Sequence, residues 1–153
     1  MRRALVILLV LAAAGCAGPP PIQPPIQPPL GAAERAAATD WSTAETVTVT
    51  MEEFDFAPSE LTLRAGRPVR LRIVNGGSRA HDWTSAGFFR AVALRQGDPV
   101  SAQVLQAGGS IEVPAGQARE VLLLPLLPGS HDVICAKPLH ATLGMAGRVT
   151  ISP

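Results

Sequence analysis

Cys135, His140 and Met145 stand at five-residue intervals within GSHDVICAKPLHATLGMAGRVTISP, residues 129–153. A thiolate, an imidazole and a thioether on one loop between strand-like runs suit a soft or borderline metal, copper above all. Taken singly, Cys135 reads as a buried free thiol, Met145 as core filler and His140 as a surface residue. Their joint spacing argues otherwise. With three His and three Met in 153 residues, chance puts His at +5 and Met at +10 from a given Cys roughly once in 2,600 tries, so the pattern is read as a site. Gly144 and Gly147 flank the methionine and Pro138 precedes His140 by two, as a loop turning sharply back into a strand requires. A trigonal site of two imidazoles and one thiolate needs a second histidine, which this loop does not supply.

The elements around that loop are strands. From Ala44 onward the chain reads ETVTVTM, LTLR, PVRLRIVN, EVPAG, REVLLLPL, HDVIC and AGRVTIS. Period-two alternation of β-branched residues, broken by Gly and Pro every 8–12 positions, predicts an all-β antiparallel sandwich. In VRLRIV, Val69, Leu71 and Ile73 share one face, while Arg70 and Arg72 take the other. Those two, with Arg64, Arg67 and Arg79, form either a basic docking face or a solvated strand face balanced by Glu45, Glu52 and Glu53. Phe54 and Phe56, in EEFDFAPSELTLRAG, are read as core. Residues 86–109 are the least strand-like part and predict one short helix or an irregular excursion, with Phe88, Phe89, Val92 and Ala93 as its inner stripe.

An apolar share of 47% in 153 residues allows one core and one domain. Aromatics make up 4% with no Tyr, so aliphatic side chains must fill that core. Fifteen prolines and 14 glycines exclude a helical bundle. Formal charge is +1, which gives no footing for a nucleic-acid partner.

The N-terminus has its own logic. Arg2 and Arg3 precede ALVILLVLAAA and then Gly15-Cys16, the n- and h-regions of a secretory signal that is too short to span a bilayer. LAAAGC resembles a bacterial lipobox, so residues 1–15 are expected to be a lipoprotein signal peptide and Cys16 the lipidated first residue. The alternative is an ordinary signal with an incidental cysteine. A lipidated Cys16 cannot pair with Cys135, and acyl chains anchor without crossing the membrane. Residues 18–30, GPPPIQPPIQPPL, favour polyproline II. Residues 16–43 are therefore expected to be a Pro-rich tether with a loose helical turn, and residues 44–153 the folded domain.

The segment GSHDVICAKPLHATLGMAGRVTI resembles the closing copper loop of the cupredoxins, the small blue-copper proteins, with gaps most similar to those of rusticyanin and auracyanin. The resemblance covers about residues 44–153 and implies a Greek-key β-sandwich. It also implies a type 1 site for one Cu(I)/Cu(II) ion, with the second histidine following an Asn-Gly turn. His81, after Asn75-Gly76-Gly77, matches that position. The implied metal ligands are His81, Cys135, His140 and Met145, with the ring of His140 as the exposed edge through which electrons pass. Two positions depart from the family. His131 stands where an aromatic is usual and is read as a packing substitute with a polar tip. Asp82 replaces the Asn that ties the ligand loops together, and its charge is expected to favour Cu(II).

The resemblance implies a membrane-tethered one-electron carrier rather than an enzyme. Copper delivery or tolerance is the alternative, and a metal-free interaction module is a third class. A multicopper oxidase needs further His pairs and domains, and a binuclear copper centre needs two cysteines on the loop. The expected partner is a redox protein such as a c-type cytochrome or a terminal oxidase or reductase. The expected setting is a monomer, exported and lipid-anchored to a bacterial membrane, facing the periplasm or cell exterior.

Overall fold

Alternation along the strands translates directly into an inside and an outside. The computed structural model describes residues 24–153; the expected signal peptide, Cys16 and the first part of the expected tether lie outside the described residues. The strands are β1 (Glu45–Glu52), β2 (Asp55–Ala57), β3 (Glu60–Arg64), β4 (Val69–Asn75), β5 (His81–Thr84), β6 (Val92–Leu94), β7 (Ser110–Val113), β8 (Ala118–Pro125), β9 (Gly129–Ile134) and β10 (Ala146–Ser152). Three α-helices accompany them, α1 (Ala32–Ala38), α2 (Ala86–Phe89) and α3 (Pro99–Gln106), with a 3-10 turn at Trp41–Thr43. Two five-stranded sheets result, in the orders β2-β1-β4-β8-β6 and β3-β10-β9-β5-β7. Val49 and Met51 of β1, Val69, Leu71 and Ile73 of β4, and Val149 and Ile151 of β10 all point into the shared core.

The sandwich is mixed rather than purely antiparallel. β1 pairs with β4 in parallel, and β3 with β10 in parallel. Alternation is blind to strand direction, because the two-residue period is the same for both pairings. The arginines of β4 take the solvated alternative, with a different partner from the glutamates expected. Arg70 and Arg72 reach Glu120 across the β4–β8 ladder, at 3.3 and 3.4 Å. This is a solvated, charge-balanced face whose exposed pairs contribute about 0–1 kcal/mol each.

Residues 86–109 hold more than one short helix. α2 places Phe88 and Phe89 in the core, where both meet Trp83 edge-to-face. Val92 and Ala93 belong to the edge strand β6 rather than to a helix. α3 follows, with Asp98 capping its N-terminus by accepting from Val100 N and Pro99 opening the first turn. Since Phe88 and Phe89 are fully buried, neither is available for docking.

The stretch before Glu45 also packs on the domain. α1 sets Ala32 and Ala36 against Ala93 and Leu124, with Trp41 beside them. Ile26 is buried in the main core, its N–H bonded to Leu105 O at 3.2 Å. This covering explains the uninterrupted apolar run of β8, Val121 to Pro125, which is buried throughout: a strand covered on both faces has no solvent side to alternate with. The domain therefore includes residues that composition alone assigns to the tether.

Candidate metal centre

One end of the sandwich gathers the loops that follow β4 and β9. Asn75, at the end of β4 and 1% exposed, clamps the first of them. Its Nδ2 donates to Arg79 O at 2.7 Å and to Val113 O at 2.8 Å, while its Oδ1 accepts from Gly77 N at 2.9 Å. This fixes the path of residues 76–80 and delivers His81, fully buried, at the start of β5.

The second loop leaves β9 at Ile134 and closes on itself. Cys135 N donates to Met145 O and Met145 N to His140 O, both at 3.0 Å. Gly144, at φ +113°, makes the turn into β10 in a backbone region that side chains disfavour. Cys135 and Met145 are fully buried, whereas His140 is half-buried between exposed Leu139 and Leu143.

The two loops bring three donors together. His81 Nδ1 lies 3.2 Å from His140 Nδ1 and 3.9 Å from Cys135 Sγ, and His140 Nδ1 lies 3.4 Å from the same sulfur. Three such donors set evenly around one ion, about 2.0 Å from it for nitrogen and about 2.3 Å for thiolate, would space the nitrogens about 3.5 Å apart and each about 3.7 Å from the sulfur. The triangle matches to within a few tenths of an ångström. Two imidazoles and one cysteine in a closed triangle, with a buried methionine on the same loop, fit a single copper ion.

The surroundings hold the donors in place. Asp82, 6% exposed, ties the loops together: its Oδ1 accepts from Ala136 N at 2.5 Å and from Thr84 Oγ1 at 2.9 Å. Its other oxygen lies 4.0 Å from Lys137 Nζ, and Lys137 is itself bonded to Glu112, so the carboxylate's charge is partly offset. Burial pushes the Cys135 thiol up, with the backbone N–H groups of Asp82 and Lys137 pulling the other way. A bound cation would make the thiolate favourable there. His131 lies apart from the triangle, edge-on to Phe88 at 6.2 Å.

Two side chains at the site carry no sequence signal for it. Phe54, expected in the core with Phe56, is half-buried and meets the His140 ring edge-to-face at 4.9 Å. Glu53, expected opposite the β4 arginines, turns the other way. Its Oε1 accepts from Ser78 N, Ser78 Oγ and Arg79 N and lies 3.4 Å from His81 Nε2. Burial alone would raise the Glu53 carboxyl, but Ser78's backbone N–H and hydroxyl, with help from His81, hold it down at about 2. Both residues sit in the turn between β1 and β2, so this turn touches both imidazoles. Gly77 leaves room for the carboxylate: a Cβ there would stand 2.7 Å from Glu53 Oε2.

A family model described as a cupredoxin-like domain matches residues 30–109, just over half of the chain. No curated protein matches the chain significantly. Among solved structures, auracyanin B is similar at 25% identity and a TM-score of 0.52, over 75% of this chain and 94% of that one. Dithionite-reduced auracyanin from the photosynthetic bacterium Roseiflexus castenholzii is 18% identical, with a TM-score of 0.52 over 72% and 99%. A multicopper oxidase from Campylobacter jejuni, described as a metallo-oxidase, aligns at 13% identity and a TM-score of 0.57. That match covers 76% of this chain and 31% of the oxidase. The last two show a shared fold.

Proposed function

The chain belongs to the cupredoxin-like domain family, and from that premise we propose that it is a one-electron carrier using a type 1 copper site, held at a membrane by a lipid on Cys16. The observation that carries this reading is the triangle of His81, Cys135 and His140, whose donor atoms all lie within 4.8 Å of one another. Copper bound there supplies a Cu(I)/Cu(II) couple.

The chain's own part is to keep the donors fixed. His81, Cys135 and Met145 are fully buried, and each is tied by strand or loop hydrogen bonds, so little reorganisation accompanies a change of charge. Met145 is the proposed weak fourth donor. His140, half-buried between Leu139 and Leu143, is the ligand a partner can approach. The proposed partner is a redox protein, such as a c-type cytochrome or a terminal oxidase or reductase.

Copper delivery finds less support. Carriers of Cu(I) present exposed thioethers, whereas both methionines among the described residues, Met51 and Met145, are fully buried. No helix among the described residues is long and apolar enough to cross a membrane, which is compatible with lipid anchoring at Cys16. Reversible voltammetry with fast self-exchange in the copper-loaded full chain supports the carrier. Slow self-exchange together with stoichiometric copper transfer to an acceptor supports delivery instead.

A further inference from the structure

With both Nδ1 atoms turned toward Cys135 Sγ and ligating the proposed metal, the ring proton of each histidine would sit on Nε2. For His81 that nitrogen is fully buried and has no hydrogen-bond partner of good geometry among the described residues. A buried N–H left without an acceptor costs about 1–3 kcal/mol. An acceptor stands close by: Glu53 Oε1 lies at 3.4 Å but out of line. Closing this gap by about half an ångström and turning the carboxylate into line with the N–H would make a charge-assisted hydrogen bond.

Glu53 is held where it can do so. Ser78 N at 2.8 Å, Ser78 Oγ at 3.1 Å and Arg79 N at 3.1 Å all donate to the same oxygen. Gly77 leaves the space for the carboxylate, because a Cβ there would stand within 3 Å of both its oxygens. Three donors and a missing side chain thus aim Oε1 at the buried edge of the His81 ring.

We propose that Glu53 is a positioning residue for the metal: its carboxylate orients the His81 ring through Nε2–H and strengthens Nδ1 as a donor, which favours the more highly charged ion. The inference rests on the copper reading above. A carboxylate behind a ligating imidazole is a general device for fixing the tautomer and raising basicity, and its loss typically changes metal affinity 10–100-fold. Glu53 also fastens the 77–79 turn, so the test must separate that structural role from an electronic one.

The experiment is voltammetry at one pH on the copper-loaded full chain and on Glu53→Gln, Glu53→Ala and Ser78→Ala. Glutamine keeps an oxygen for the Ser78 and Arg79 N–H groups while losing the charge. The expected result is a retained blue band and a higher potential in Glu53→Gln, from about a tenfold lower ratio of Cu(II) to Cu(I) affinity, or about 59 mV for one electron. Glu53→Ala should move at least as far, and Ser78→Ala in the same direction by less. In the Cu(I) form, proton NMR should show a slowly exchanging His81 Nε2–H whose exchange quickens in Glu53→Ala. A change below twofold in Glu53→Gln, with that exchange unaltered, overturns the proposal while leaving the copper site standing. If the Glu53 variants fail to fold, an unshifted potential in Ser78→Ala overturns it. A wild-type chain that takes up copper without a blue band overturns the copper reading and this inference together.

Discussion

Replacing Asn75 with alanine tests whether the buried end of β4 organises the His81 loop. The side chain is 1% exposed and spans two loops, donating to Val113 O and Arg79 O and accepting from Gly77 N. Alanine removes all three bonds. The site at Val113 is buried, so its carbonyl loses a donor that water cannot readily replace, at about 1–3 kcal/mol. The partly buried bond to Arg79 O adds about 0.5–1.5 kcal/mol. The expected loss is therefore about 2–4 kcal/mol, a large part of the stability of a domain this size. Urea unfolding of the metal-free chain measures it, and the midpoint should fall by roughly 1–2 M. Because the same bonds deliver His81, copper affinity should fall as well. A stability loss under about 0.5 kcal/mol, within the range of an ordinary surface substitution, would refute the clamp.

Asp82→Asn keeps the acceptor for Ala136 N and Thr84 Oγ1 but removes a buried charge beside the site, so the potential should rise. Lys137, 4.0 Å away, offsets part of that charge, and the shift is on the order of a tenfold change in the Cu(II)/Cu(I) affinity ratio; no change or a decrease in voltammetry sinks the idea. His131 has its pKa lowered by burial from the ordinary 6.5. Above that value both folded and unfolded forms are neutral and the contribution to stability is complete. As pH falls below it the unfolded chain takes up the proton first, and stability drops until the folded pKa is passed. Unfolding of the metal-free chain between pH 8 and 5 should therefore be steeper in wild type than in His131→Phe, and equal slopes would contradict this. Arg72→Ala should change stability by less than about 1 kcal/mol, since its pairing with Glu120 is exposed; a larger loss would show that the pair is not merely a solvated one.

The nearness of Cys135 and His140 was legible because they lie on one short loop, where sequence spacing constrains spatial spacing. His81 is not deducible that way. It reaches the triangle through the fold, and only the resemblance of the preceding Asn-Gly turn pointed to it. The sandwich followed from alternation, but the parallel pairings of β1 with β4 and β3 with β10 did not, since side-chain period carries no direction. Glu53 was invisible for a related reason. A glutamate in a polar turn reads as solvated, and only tertiary placement sets its oxygen against a buried ring. α1 was faint because its inward residues are alanines, which bear little amphipathic signal. The tether reading failed to anticipate Ile26, one of two isoleucines in the proline repeat, which finds a slot beside α3.

The visible absorption spectrum of the copper-loaded full chain, recorded beside Cys135→Ser, tests most directly whether His81, Cys135 and His140 hold one type 1 copper ion. An intense blue band in the wild type that vanishes in the serine variant is the predicted result. A colourless wild type, or a band that survives without the sulfur, would contradict it.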